Sequence, residues 1–305
     1  MIGNTAVVKI SMVTMVRKAL LLLLIVFMVS PLSAGADTVT LGAIGDVTTW
    51  PGTPYRWWDI ADNEYGATYQ SSFDYSQPTV TLAYDAAAST FTGTLTAAGL
   101  KPNFAYQMKL VGTPRVDDWA NEQIGYAGRW WRQQPNPGNT NDADYAANKN
   151  DPAYIFQGYL LFDFFVTDDQ GNATVSFAAD SSYHVLWKTA QRSPTINDGP
   201  VTTTAFDPAI GAFYDTNYDP ATVGIYAEWQ TGRALPGQLV LPAGDYTCQF
   251  ILTEESFHST SDLGGYWAGA MGGDVEFTVV PLPSTVCLMA AGLIGLLGVR
   301  RARHE

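Results

Sequence analysis

Branched or aromatic residues alternate with small or polar ones through much of the chain between residues 37 and 279. Thr79-Val80-Thr81-Leu82-Ala83-Tyr84 and Thr90-Phe91-Thr92-Gly93-Thr94-Leu95 carry this period of two. They flank the small, polar-ended Asp85-Ala86-Ala87-Ala88-Ser89, and the three segments predict a β-hairpin. Residues 160–166 and 173–177 flank Thr167-Asp168-Asp169-Gln170-Gly171-Asn172, whose Asp, Gly and Asn favour a turn, and predict a second hairpin. Further strands are expected at residues 183–189, 223–228, 238–241, 245–253 and 275–280. No apolar repeat of helical period is visible between Asp37 and Val279, so this part is expected to be all-β. Residues 112–151 break the pattern and read as a long Trp- and Asn-rich loop, a length more usual for binding loops than for plain connections.

Two apolar runs bracket the alternating region. Residues 19–29 are unbroken by any polar residue, follow Lys9, Arg17 and Lys18, and precede Ala34-Gly35-Ala36. Positive residues, an apolar run and a small-x-small site predict a secretory signal peptide over residues 1–36, with Asp37 opening the mature chain. Residues 286–299 are only 14 apolar residues, fewer than the roughly 20 needed to cross about 30 Å of hydrocarbon. Counting from Val280 reaches that length, and the arginines after Val299 are placed to hold the terminus on the cytoplasmic side. A single transmembrane helix is therefore expected at residues 282–299.

The end of the chain reads Val280-Pro281-Leu282-Pro283-Ser284-Thr285, then the apolar run, then Arg300-Arg301-Ala302-Arg303. This order resembles the PEP-CTERM sorting signal of bacterial surface proteins: a short proline motif, a small-residue-rich helix and an arginine-rich end. Leu282 stands where that family usually has Glu, and Ser284 where the VPLPA-type variant has its final Ala. The resemblance implies recognition by an exosortase, a membrane-embedded cysteine transpeptidase, through Val280, Pro281, Leu282, Pro283, Arg300, Arg301 and Arg303. It also implies delivery of the exported part to the cell surface or beyond, anchored by the helix until processing.

The exported part, residues 37–279, is long enough to bury a core without covalent help. Cys248 is its only cysteine, because Cys287 falls in the apolar run, so no internal disulfide is available. Leu100-Lys101-Pro102-Asn103-Phe104-Ala105-Tyr106 and Leu241-Pro242-Ala243-Gly244-Asp245-Tyr246 both set a Leu and a Pro shortly before a Tyr. The first resembles the corner before strand F of fibronectin type III and immunoglobulin-like sandwiches, which implies a β-sandwich. One sandwich, or two units split near residues 112–157, would satisfy the pattern.

Charge and chemistry narrow the function classes. Residues 37–279 hold 28 acidic and 10 basic residues, a balance of −18, which excludes nucleic acid as a partner and suits a soluble surface protein or one that holds cations. Trp57, Trp58, Trp130 and Trp131 are candidate carbohydrate contacts, since an indole face packs on a sugar ring while Asn, Gln and Asp bond its hydroxyls. The competing reading has these rings plugging the sandwich ends. Asn139 to Asp144, with Asn148, Asn150 and Asp151, offers oxygens of the kind Ca2+ takes, without EF-hand spacing. His184, His258, Cys248 and Met271 are the residue types of a copper site, but ten positions from Cys248 to His258 do not suit one short ligand loop, so no metal centre is assigned. Recognised catalytic motifs are absent, and the adjacent acids Asp117-Asp118 and Glu254-Glu255 read as solvated surface pairs. The sequence thus favours a non-enzymatic surface or matrix protein with exosortase, secretion machinery, membrane and extracellular polysaccharide as partners. The alternative is a secreted polysaccharide-acting enzyme using Asp/Glu acid-base residues.

Overall fold

The computed structural model describes residues 35–44, 49–50, 53–54, 57–189, 201–202, 213–214, 218–255 and 267–281. Strands β1 (Ala36–Thr40), β2 (Gly42–Ala43), β3 (Thr49–Trp50) and β4 (Thr53–Pro54) precede a short helix, α1 (Ala67–Ser72). Then come β5 (Thr79–Asp85), β6 (Ala87–Ala88), β7 (Thr92–Ala98) and β8 (Ala105–Gly112). Helix α2 (Asp118–Ala127) leads to β9 (Arg129–Gln134), β10 (Gly138–Thr140) and α3 (Asp142–Asn148). The rest is strand: β11 (Ile155–Val166), β12 (Ala173–Ala178), β13 (Val185–Lys188), β14 (Val201–Thr202), β15 (Gly224–Glu228), β16 (Gly244–Glu255) and β17 (Trp267–Val279).

Two antiparallel sheets face each other. Among the described residues the smaller has the order β1-β5-β7-β12 and the larger β10-β9-β11-β8-β16-β17-β2, with β6 joining β17 in parallel. Their inner faces supply one apolar core, with Val80, Leu82, Leu95 and Phe177 from one side and Met108, Leu110, Phe162, Phe250 and Phe277 from the other. Phe91 plugs the space between them, its ring within 4.6–6.3 Å of Phe277, Phe177, Phe162 and Phe250. The small sheet β13-β15-β14 supplies Leu186 and Ile225 to a second core with Leu161 and Ala105 of the large sheet. Coverage on both faces explains why Leu160, Leu161 and Phe162 are consecutive buried residues where a one-sided strand would alternate.

The expected hairpin at residues 79–95 is present as β5 and β7, paired from Thr79↔Ala98 to Tyr84↔Gly93. The second is corrected: β11 pairs with β8 and β9 in the large sheet, whereas β12 pairs with β7 in the small one. The connection between them closes on itself, Asp168 N–H donating to Asn172 O at 2.9 Å and Gly171 N–H to Asp168 O at 3.1 Å, and it also bonds to a second turn. Leu100 N–H donates to Gly171 O at 3.0 Å, Asn103 N–H to Asp168 O at 2.9 Å, and Thr167 Oγ1 to Lys101 O at 2.6 Å. Gly171 sits at φ +76° against the Leu100 carbonyl, where a Cβ would overlap it. Residues 238–241 are not a strand, since Gln238 and Leu239 N–H both turn onto Asp180 O.

The expected loop at residues 112–151 is also corrected, to helix α2, the pair β9-β10 and helix α3. Asp117 caps α2 by accepting from Ala120 N, and Asn141 caps α3 by accepting from Asp144 N. The buried side of α2 is Ala120, Asn121, Ile124 and Gly125, while Trp119 and Tyr126 are each 40 % exposed. The buried side is made mostly of small residues and the two large rings share the open side with Asp118, which hid the helical period. β8, before this insertion, lies hydrogen-bonded between β11 and β16, both after it, so residues 112–157 do not separate two sheets. Both tyrosine turns are tied back: Lys101 N–H donates to Tyr106 Oη at 3.1 Å, and Tyr246 Oη donates to Pro242 O at 2.9 Å.

Candidate functional site

The four tryptophans separate into different roles. Trp57 is buried, packed edge-on against Phe73 and under the Lys101 ammonium, so it is corrected from a sugar contact to a core residue. Trp130 is 0 % exposed, stacked on Tyr145 at 3.7 Å, with its Nε1 donating to Asp142 Oδ1, and is corrected in the same way. Trp58 is half-buried and bridges to Glu64. Trp131, one position further along β9, points to the other side of the sheet and is 38 % exposed.

Strand register assembles a patch around Trp131 on the outer face of the large sheet. Trp131 lies opposite Asn139 on β10 and Gln157 on β11, and the next row pairs Arg129 with Tyr159 and Tyr159 with Val111 of β8. Gln133 Nε2 donates to Gln157 Oε1 at 3.2 Å, and Tyr159 Oη donates to Asn139 Oδ1 at 3.0 Å. Lys109 Nζ lies 4.5 Å from the centre of the Tyr159 ring. Burial pushes this ammonium down to about 8, and the neighbouring Arg129 charge pushes the same way. An open indole bordered by three amides, Gln133, Asn139 and Gln157, and by the Tyr159 phenol offers one apolar face with hydrogen-bonding groups on its borders. Gln133, Asn139, Gln157 and Tyr159 were not identified as site residues from the sequence, because only cross-strand pairing brings them to Trp131.

Trp57 and Trp131 stand at opposite ends of β8. Trp57 lies at the Lys101–Phe104 turn before the strand, whereas Trp131 is placed at the end marked by Val111. The structure therefore does not gather the predicted aromatics into one surface.

The acidic pair Glu254-Glu255 is also corrected. Both residues are 1 % exposed, and strand alternation sends them to opposite faces of β16. Glu254 contacts Lys101 and Tyr75 on the inner face, while Glu255 accepts from Gln107 Nε2 on the outer one. Burial raises the Glu255 carboxyl well above the usual range, with only the Gln107 amide opposing it. Asp117 and Asp118 serve the start of α2, through Ala120 N and Arg115 N respectively. The oxygens of the Asn/Asp segment are likewise engaged: Asp142 bonds Trp130 and Arg233, and Asp144 bonds Arg132, Thr140 and Asn148. Among the described residues no group of three or more His, Cys, Asp or Glu is placed to hold a metal ion. Cys248 is a free, buried thiol, pushed upward first by burial.

Asp59 adds a pH dependence. Its carboxylate accepts from the Ala61 and Asn63 backbones, the Asn63 amide and Tyr214 Oη, yet burial outweighs these bonds and raises it to about 6. Burial raises Asp163 to about 6 as well. In the unfolded chain both release their protons near 4, so the folded state binds more protons between those values. The contribution, about 3 kcal/mol for Asp59, is fully present below about pH 4 and is lost as pH rises through about 6. Urea denaturation is expected to give a higher midpoint at about pH 4 than at about pH 7. A midpoint that drops steadily on acidification would contradict this.

At the end of β17, the Val280 N–H donates to Ala88 O at 2.8 Å, and Val280 and Pro281 are exposed as the chain leaves the sheet. Leu282, Pro283, Arg300, Arg301 and Arg303 lie outside the described residues, as do the predicted membrane helix and Ala34. Ala36 is the exposed first residue of β1. Among the described residues no helix is long and apolar enough to cross a membrane.

A mostly β protein of two facing sheets, followed directly by a proline-led exit from its last strand, is the class that fold and chain order define. The family profile for the PEP-CTERM protein-sorting motif matches residues 279–302, so the chain carries that motif. The motif marks an exported surface protein targeted to an exosortase, with a precursor that associates with the membrane. No curated protein and no solved structure matches the chain.

Proposed function

We propose that this is a non-enzymatic surface or matrix protein whose sandwich is held at extracellular polysaccharide by the sheet face around Trp131. The sorting motif at residues 279–302, beginning at the last residue of β17, is the observation that carries the reading. Residues 1–36 act as the signal peptide, and an exosortase removes or transfers the end of the chain. The geometry of Glu254 and Glu255 supports a non-catalytic role, because two buried carboxyls on opposite faces of one strand cannot flank a single glycosidic bond. Trp131, with Gln133, Asn139, Gln157 and Tyr159 around it, supports sugar contact, as stacking on an indole combined with bonds to hydroxyls needs such a border.

Pull-down of the purified mature protein on insoluble polysaccharides tests the ligand. Trp131→Ala is expected to weaken retention by about tenfold, equivalent to roughly 1.4 kcal/mol. Equal retention of wild type and variant would remove the sugar-binding part, and release of reducing sugar by the wild type would overturn the non-enzymatic part. A mass spectrum of the mature protein is expected to begin at Asp37 and to lack Arg300, Arg301 and Arg303. An intact precursor mass for protein recovered from the surface would refute the processing.

A further inference from the structure

Lys101 is the most completely enclosed cation among the described residues, at 0 % exposure, in the turn before β8. Its Nζ lies 3.5 Å from the centre of the Trp57 ring, 4.9 Å from Phe104, 5.3 Å from Tyr75 and 5.7 Å from Phe73. The Glu254 Oε1, from a side chain 1 % exposed, is its ion-pair partner. A directed chain of hydrogen bonds fixes that partner. Lys101 N–H donates to Tyr106 Oη at 3.1 Å, the Tyr106 and Tyr75 hydroxyls are 3.1 Å apart, and Tyr75 Oη donates to Glu254 Oε1. The Lys101 turn is itself pinned by Thr167, whose Oγ1 donates to Lys101 O and accepts from Phe104 N. The second carboxylate oxygen, Glu254 Oε2, is buried without a hydrogen-bond partner among the described residues.

We propose that Lys101 and Glu254 condense into an intramolecular amide that ties the turn before β8 to the end of β16. The reaction needs no co-reactant. In a site closed by four aromatic rings, proton transfer from the Lys101 ammonium to the Glu254 carboxylate replaces two buried charges with a neutral amine and a neutral acid. Burial already lowers the Lys101 ammonium to about 8 against the pull of Glu254, which aids this step. The Nζ lone pair attacks Cδ, a C–N bond forms, and Tyr75 O–H stabilises the charge that develops on Oε1. Oε2 takes two protons, the one first passed to the carboxylate and one from the attacking nitrogen; the C–Oε2 bond then breaks, Oε2 leaves as one water, and the electron pair on Oε1 re-forms the C=O. The product keeps the oxygen that Tyr75 bonds and discards the oxygen that nothing bonds, so both buried charges and the unpaired acceptor disappear together.

The other buried lysine with an ion-pair partner shows what the environment contributes. Lys188 pairs with Asp62, but the Asp62 side chain is 42 % exposed, so that pair is open to water and is not enclosed as Lys101 and Glu254 are. An amide from Lys101 to Glu254 would close a loop of 153 residues, the kind of long closure from which a cross-link gains most. The exported part has no second cysteine with which to form a disulfide.

Peptide mass spectrometry of the full chain, expressed, denatured and digested, tests the bond. The expected result is a branched peptide containing both Lys101 and Glu254, lighter than the two linear peptides together by the mass of one water. Lys101→Met and Glu254→Leu are each expected to abolish it, and Tyr75→Phe to slow its appearance with time after synthesis while the fold is retained. Separate linear peptides with free Lys101 and Glu254, recovered from wild-type protein that is folded by circular dichroism, would overturn the proposal whether or not the variants fold.

Discussion

Trp130→Ala is expected to destabilise the protein by about 3–5 kcal/mol, and Trp131→Ala to change its stability by no more than about 0.5 kcal/mol. The two residues are neighbours on β9, and alternation alone decides which ring is buried. Trp130 forms a local core with Tyr145 and Phe156, meets Tyr126 edge-on at 5.6 Å, and bonds Asp142 at the start of α3. It also lies where a Cβ on Gly125 would overlap its indole, so the ring fills the space between α2 and β9. Truncation removes the whole side chain from a site lined by rigid rings, which cannot collapse into the gap. It further leaves the stacked Tyr145 without its partner at 3.7 Å. Equilibrium unfolding in urea, followed by far-UV circular dichroism, measures both variants. A large loss for Trp131→Ala, or a negligible one for Trp130→Ala, would reverse the roles given to them.

Much of the sheet structure was legible because one buried face imposes a period of two, as in β5, β7 and β17. The exit toward the sorting motif was legible for a different reason: chain order, proline spacing and terminal arginines are properties of the sequence itself. What failed were statements about partners distant in the chain. Thr167 to Asn172 contains good turn residues, but whether such a turn returns a strand to its own sheet or carries it to the facing one depends on residues 100–104, which bond to it. The α2 period was masked because Ala120, Asn121 and Gly125 accept the close approach of Gly112, Gly158 and Trp130, leaving the large rings Trp119 and Tyr126 outside. Glu254 and Glu255 read as solvated because a charged pair usually is. The partners Lys101 and Gln107 that allow their burial lie 153 and 148 positions away.

Relative to the uncondensed Lys101–Glu254 ion pair, Glu254→Ala is expected to cost about 3–5 kcal/mol, because it strands the Lys101 ammonium among Trp57, Phe73, Tyr75 and Phe104 with no counter-charge. Comparison with the double variant Lys101→Met, Glu254→Leu separates this charge effect from lost packing, and neither variant retains both groups of an amide. Methionine and leucine nearly fill the two volumes with apolar atoms, so the double variant is expected to exceed Glu254→Ala in stability by about 2 kcal/mol or more near neutral pH. Alkali acts on the stranded charge directly. Burial holds the folded Lys101 ammonium at about 8 even with Glu254 present, and loss of that anion lowers it further, while the unfolded chain keeps its proton to about 10.4. The unfolded state therefore binds more protons across that window, and the stability of Glu254→Ala rises with pH through it. The double variant has no lysine there, so the gap between the two is expected to narrow from about pH 7 to about pH 10. A gap that stays constant over that range would mean that the loss comes from the cavity and the vacated Tyr75 hydroxyl, and that the Lys101 charge is tolerated without its partner.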